Sequence, residues 1–324
     1  MSKSTIVNRP VKALPAKAGA TKSPDVVVVG SVALDLLHTP FASTEAPVLG
    51  GSALHFANAA SLFAKVGVVG VVGEDYPMKD LEFLTRRNVD LSGVGVLPGK
   101  SFLWEGRYGD NFLSRETIRT ELGVFESFEP LLPKAYLNPK ILFLAAIHPA
   151  LQYSVLKQVN RPKLVAIDTF KLWIDVARKE FMKVLKQSDL FFVNDDEVRW
   201  LTGEHNLFKG AAALRKMGPK WVVVKKGEHG SFVVGERDTY LSNTFPVLDV
   251  VDPTGAGDAF AGGMLGYLAG ERQITAGAIR RAMAWASVIG SFYVEGFGPA
   301  GLRDKKRADV DRRYRQFVRM STIP

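Results

Sequence analysis

The chain contains no cysteine, which excludes disulfides and thiolate metal sites and fits a cytoplasmic protein. Histidine is scarce too. His38, His55, His148, His205 and His229 are scattered without the short spacings of a zinc site. No apolar run approaches the roughly 18–20 residues that span a bilayer. Residues 1–24 lack the apolar stretch of a secretory signal. There is no G-x-G-x-x-G after the first apolar run, which argues against a dinucleotide fold. A P-loop is absent as well: Pro98-Gly99-Lys100-Ser101 ends like one, but Val94 stands where its first glycine belongs.

What the chain has in excess is positive charge, +9 over 324 residues. The excess sits at the two ends. Lys3, Arg9, Lys12, Lys17 and Lys22 are unopposed within residues 1–24. Eight bases between Arg303 and Arg319 meet only Asp304, Asp309 and Asp311. The body between them is close to neutral, so the charge describes a tail and one basic helix face rather than a nucleic-acid groove. Residues 1–24, rich in Lys, Ala, Pro and Ser, read as a disordered basic extension. Residues 25–324 read as one domain with a sizeable core.

Val26–Val29 is a short apolar run ending at Gly30, the pattern of a strand buried on both faces. Helical spacing over 52–65 and 77–87 brackets another apolar run, 66–73. Between 94 and 125 the pattern becomes alternating, as in Phe102-Leu103-Trp104-Glu105-Gly106-Arg107-Tyr108, and predicts exposed antiparallel strands. Strands are expected again at 141–145, 164–168, 190–193 and 221–225, separated by helices at 150–159, 172–187 and 206–217. This order predicts an α/β fold, a mostly parallel central sheet with helices on both faces. A small β lid from about 34–48 and 94–125 completes it, and its exposed edge leaves a homodimer open.

The most informative segment is Val251-Asp252-Pro253-Thr254-Gly255-Ala256-Gly257-Asp258-Ala259-Phe260. It joins a β-rich stretch to a helix-like one, 256–268. Gly255, Ala256 and Gly257 carry no bulky side chain, so successive N–H groups can converge on one point. The helix that starts there aims its positive end at the same point. Such a cradle suits a phosphoryl group in transit. Asp258 inside it would repel phosphate, and the chemistry that needs a carboxylate there is removal of a proton from a hydroxyl.

The string D-P-T-G-A-G-D-A-F resembles the C-terminal signature of the ribokinase-like, pfkB-type carbohydrate kinases. Three further segments resemble that family in the same order. They are Gly50-Gly51 ahead of the 52–65 helix, Asn194-Asp195-Asp196-Glu197 after an apolar run, and the Gly-containing stretch from Val223 to Gly230. The resemblance runs from about Val26 to Phe317. It implies a three-layer ribokinase-like sandwich with substrate between lid and sheet. It also implies ATP-dependent transfer of the γ-phosphoryl group to a hydroxyl of a sugar or sugar derivative, with a nucleoside as the alternative acceptor. A non-catalytic ligand-binding role is opposed by the retained Asp258 and glycines.

Under that resemblance Asp258 is the base, and Gly255, Ala256 and Gly257 stabilise charge on the phosphoryl group. Asp35, Gly50, Gly51 and His55 face the acceptor, joined by Arg107 from the lid. His55 stands where the commoner pattern has Asn, which alters the hydrogen bonds on offer and leaves the sugar unspecified. Asn194, Glu197, Lys225, Gly227, Gly230 and Thr254 fall on the nucleotide side. Asn194 and Glu197 equally spell a capping box, while Glu197 is expected to hold Mg²⁺ through water. Asp252, with carbonyls of a 288–298 loop, matches a monovalent-cation site, with K⁺ the candidate. The stretch Asp168-Thr169-Phe170-Lys171-Leu172 resembles a D-x-N-x-R segment that reaches the phosphates, but Phe170 and Leu172 replace its Asn and Arg. Lys171 or Arg107 is then expected to supply the charge. The implied cofactors are ATP and Mg²⁺. The implied partner is a small sugar or nucleoside, with no nucleic acid and no membrane. Phe102, Trp104, Tyr108 and Phe112 are stacking surfaces if the acceptor carries a base, although a sugar is the expected acceptor.

Overall fold

A computed structural model describes residues 12–13, 23–110, 112 and 114–322. The strands are β1 (Lys12–Ala13), β2 (Val26–Val29), β3 (Ala33–His38), β4 (Val48–Gly50), β5 (Val66–Gly73), β6 (Val89–Leu97) and β7 (Phe102–Tyr108). They continue as β8 (Arg115–Glu121), β9 (Ile141–Leu144), β10 (Leu164–Ile167), β11 (Leu190–Asn194), β12 (Trp221–Lys225), β13 (Ser231–Val234) and β14 (Thr239–Ser242). Ten of them form one sheet in the order β1-β6-β5-β2-β9-β10-β11-β12-β13-β14. Its middle is parallel, and β1, β13 and β14 join antiparallel at the two ends. The other four make a separate sheet, β4-β3-β7-β8.

The apolar runs explain this architecture. Strands β2, β9 and β10 are buried at every residue, as a sheet covered on both faces requires. Alternate residues feed two cores. Val26, Val28, Phe143 and Phe192 point into one, and Val27, Val29, Leu144 and Phe191 into the other. On the first face the helices Ser52–Ala60 and Ala256–Ala269 pack backbone to backbone. A Cβ on Gly262 would lie 2.4 Å from the Phe56 carbonyl oxygen, and one on Gly266 2.9 Å from that of Ala60. That contact fixes the N-terminal ends of both helices, which carry His55 and Asp258.

The structure narrows some expectations. Residues 94–97 belong to β6 of the main sheet, where buried Val94 pairs with Gly70, so the second segment of the lid begins at β7. The 172–187 helix is two helices, Lys171–Val176 and Arg178–Leu185, broken at Ala177. Within the expected extension, Lys12 and Ala13 pair with Val96 and Gly95 at the sheet edge; residues 1–11 and 14–22 lie outside the described ones. Among the described residues no helix is long and apolar enough to cross a membrane.

Candidate active site

The cradle forms where the sequence places it. Gly255 takes a left-handed conformation, φ +74°, and starts the Ala256–Ala269 helix. Glycine is needed twice over here, because a Cβ would also meet the His55 ring 2.5 Å away. The Ala256 N–H already donates to the Pro253 carbonyl at 3.1 Å, and that of Ala259 to Gly255 at 2.8 Å. The N–H groups of Gly257 and Asp258 lie between them without such a partner among the described residues. Ala256 therefore contributes its small size more than a free donor. The Lys225 ammonium lies 3.3 Å from the point where a Gly257 Cβ would sit, so a cation stands beside the open donors.

Asp258 is half-buried in the first turn of this helix. Desolvation by the surrounding protein, and then the charge of Asp168, push its pKa up to about 7, against the pull of His55 and Lys225. An acid of that affinity is a competent proton acceptor near neutral pH.

The residues expected to face the acceptor come from β3, β4 and the helix that follows. Asp35 is buried, and its carboxylate lies against Gly50, where a Cβ would fall 2.1 Å from Oδ2. Gly51, at φ +96°, turns the chain into the Ser52–Ala60 helix. One turn in, His55 is buried with Nε2 3.6 Å from Asp35 Oδ2. Its Nδ1 is hydrogen-bonded to the Tyr293 hydroxyl. His55 thus touches the acceptor-side acid, the cradle and the helix ending at Tyr293, and both its ring nitrogens face protein groups.

Among the residues expected on the nucleotide side, Lys225 ends β12 with Nζ 2.6 Å from Asp168 Oδ2. Burial raises the Asp168 pKa despite Lys225. Burial opposes the Lys225 ammonium, yet Asp168, Glu197 and Asp258 together raise its pKa. Asn194 and Glu197 form the capping box: Asn194 Oδ1 accepts from the Glu197 N–H at 2.7 Å, and Glu197 Oε2 accepts from the Asn194 N–H at 3.0 Å. Burial and then Asp168 push Glu197 up to about 7, with Asn194, Lys225 and Arg115 pulling the other way. Burial first, and for Glu197 and Asp258 also the charge of Asp168, disfavours the ionised form of these three acids, and a divalent cation nearby would favour it. Among the described residues no three Asp, Glu or His side chains converge to ligate a metal by themselves. The arrangement fits Mg²⁺ arriving with a triphosphate and keeping its waters.

Thr254 bonds the lid, its hydroxyl 2.9 Å from the Tyr108 hydroxyl. Asp252 is fully buried, accepting from the Thr254 N–H at 2.8 Å and the Gly298 N–H at 3.4 Å. The preceding helix runs on to Tyr293, so the loop beside Asp252 is shorter than the expected 288–298. Gly227 is exposed at φ +55°, and Gly230 sits against the Ser242 carbonyl.

Two expected cations stand elsewhere. Arg107 is exposed on the outer lid face, 3.7 Å from Glu116. Lys171 lies over the Trp200 ring, 3.6 Å from its centroid. The lid cation that reaches the site is Arg115, over the rings of Trp104 and Phe170. Nothing in the local sequence singles it out.

A model of the pfkB family of carbohydrate kinases matches residues 24–300. The cytidine kinase of Thermococcus kodakarensis is 33% identical over 253 residues, covering 76% of this chain and 89% of that protein. The ATP-dependent ribose-1-phosphate kinase of Halopiger xanaduensis is 26% identical over 269 residues, 81% of this chain and 84% of that one. A putative ribokinase II from E. coli, solved with ATP and Mg²⁺, superposes with a TM-score of 0.72 at 20% identity, over 90% of this chain and 99% of its own. That likeness establishes a ribokinase-like fold, with the lid as its second sheet. Together with the family match over most of its length, the chain is a phosphotransferase and belongs to the pfkB family of carbohydrate kinases.

Proposed function

We propose that the protein is a nucleoside kinase that phosphorylates a ribose hydroxyl with Mg·ATP. The observation that carries this reading is the pairing of Asp35 with Trp104 across β3 and β7. The two side chains stand next to each other on the buried lid face, the same face from which Tyr108 reaches Thr254. An acid that accepts ribose hydroxyls beside an indole that covers a base is a nucleoside site. The similarity to a cytidine kinase and to a ribose-1-phosphate kinase supports an acceptor that contains ribose.

In the reaction the acceptor hydroxyl gives its proton to the Asp258 carboxylate. Its oxygen bonds to the γ-phosphorus as the bond from that phosphorus to the ADP oxygen breaks. The open N–H groups of Gly257 and Asp258 and the Lys225 ammonium meet the charge on the moving group. Glu197 and its neighbours would hold Mg²⁺ through water, and the ion would supply neutralisation of the triphosphate charge. Asp252 uses both its oxygens on N–H donors, which pins the cradle to the C-terminal loop, so a K⁺ requirement is tested separately by replacing K⁺ with a bulky cation.

A second reading, a monosaccharide kinase, is favoured by one observation. Trp104 already lies flat on Gly106, where a Cβ would be 2.1 Å from its ring, and Arg115 covers it. The indole is then lid packing, and Asp35 and His55 alone select the acceptor. ATP turnover over a panel of nucleosides and monosaccharides decides, read on Asp35→Ala and Trp104→Leu. A nucleoside kinase loses roughly 1–3 kcal/mol of acceptor binding on Trp104→Leu and roughly 1.5–3 kcal/mol on Asp35→Ala. Turnover of a monosaccharide but no nucleoside, with Trp104→Leu near wild type, overturns the reading.

A further inference from the structure

We infer that Arg115 is a catalytic residue carried by the lid, whose guanidinium closes on the γ-phosphoryl group of bound ATP opposite Lys225 and the cradle. The inference rests on the kinase chemistry and not on which acceptor is used.

The evidence begins with the register of β7 and β8. Tyr108 pairs with Arg115 and Gly106 with Thr117, but Glu105 pairs with Arg119 and Leu103 with Glu121. The register slips at Ile118, so residues 115 and 117 share the face of Tyr108 and Trp104 while 119 and 121 share the opposite one. Without that bulge Arg115 and Arg119 would point the same way. β-Bulges beside active sites commonly re-aim a side chain, and this one puts a single, solvent-exposed arginine on the lid face of Tyr108 and Trp104.

The surroundings of the three lid arginines agree. Arg107 faces Glu116, and Arg119 faces Glu105 and Glu121, all on the outer surface. Arg115 has no carboxylate within salt-bridge distance among the described residues, although its charge is felt by buried Glu197. Its guanidinium carbon instead sits 5.3 Å from the Trp104 ring centroid and 5.5 Å from that of Phe170. Trp104 belongs to the lid, and Phe170 lies two residues beyond Asp168 on the body. The planar cation is therefore held between the two halves of the site, over two rings and beside the Tyr108 hydroxyl, with no carboxylate paired to it among the described residues. A guanidinium so placed matches phosphate oxygens as a fork, which a lysine does not.

Its part in the transfer adds no new bond. The acceptor oxygen bonds to the γ-phosphorus, the bond from phosphorus to the ADP oxygen breaks, and the acceptor proton passes to Asp258. Arg115 donates hydrogen bonds to the non-bridging oxygens throughout and returns to its stacked position with the product.

The test compares Arg115→Ala and Arg115→Lys with Arg119→Ala as control. Binding of ADP and of a non-hydrolysable β,γ-imido ATP analogue is measured by calorimetry with Mg²⁺, and kcat is measured with the authentic acceptor. Arg115→Ala is expected to weaken the triphosphate analogue about 10-fold or more, with ADP changed less than about 3-fold, and to lower kcat at least about 10²-fold. Arg115→Lys recovers part of the binding and little of the rate, and Arg119→Ala changes neither. Equal losses for ADP and the triphosphate analogue would overturn the assignment. So would unchanged nucleotide binding with only a raised acceptor KM. Because the binding arm needs no acceptor, a wrong acceptor assignment leaves it intact.

Discussion

Replacing Asp258 by Asn separates a catalytic carboxylate from a structural one, because the two roles predict opposite changes in stability. In the folded protein Asp258 holds its proton up to about pH 7, whereas the unfolded chain releases it near pH 4. Between those values unfolding releases a proton, so native stability falls as pH rises through the window. Asn carries no such proton and keeps the shape. Its advantage is absent below about pH 4 and complete above about pH 7. An acid moved from about 4 to about 7 corresponds to a ceiling of about 4 kcal/mol. Solvent on the open side of Asp258 screens that, leaving a gain on the order of 1–2 kcal/mol. Thermal melts at pH 8 should rise by a few degrees, while kcat falls about 10²–10⁴-fold for want of the proton acceptor. A variant that melts lower at pH 8, or keeps more than about a tenth of kcat, refutes the reasoning.

The same acid sets the pH profile. kcat/KM should fall below about pH 7 and stand below about a tenth of its plateau at about pH 6, steeper than one proton because Glu197 titrates beside it. Lys225→Met removes a cation that favours both carboxylates, so the acid limb should move to higher pH. The change also strands buried Asp168, and denaturant unfolding should report a loss of roughly 3 kcal/mol. Gly50→Ala places a methyl 2.1 Å from Asp35 Oδ2 and should raise the acceptor KM at least about 10-fold, since the carboxylate has to move. Its melting temperature checks that the fold survives.

The layer order was legible because buried parallel strands are written as uninterrupted apolar runs, such as Val26–Val29, which no surface element tolerates. The turn at Gly255 was legible for a related reason: only small residues permit the approach that Gly255 makes to His55. Asn194 and Glu197 fulfil the capping-box spacing that the sequence spells. The lid was harder. Residues 94–97 read as the start of its second segment, yet their apolar character is that of β6, whose Val94 is buried in the main sheet.

The placing of the lid arginines was the least legible feature, and the reason is geometrical. Period-two counting along β8 puts Arg115 and Arg119 on one face, and along β7 it offers Arg107 as an equal candidate. Nothing in R-E-T-I-R-T-E announces a slipped register at Ile118. Once the slip is present the choice is forced. Arg107 and Arg119 find carboxylates outside, while Arg115 turns toward a site with three acids and one ammonium. An arginine entering so acidic a place would ordinarily pair with an acid. Arg115 lies over two rings and beside the Tyr108 hydroxyl instead, with no carboxylate paired to it among the described residues, which suits a ligand that brings its own negative charge.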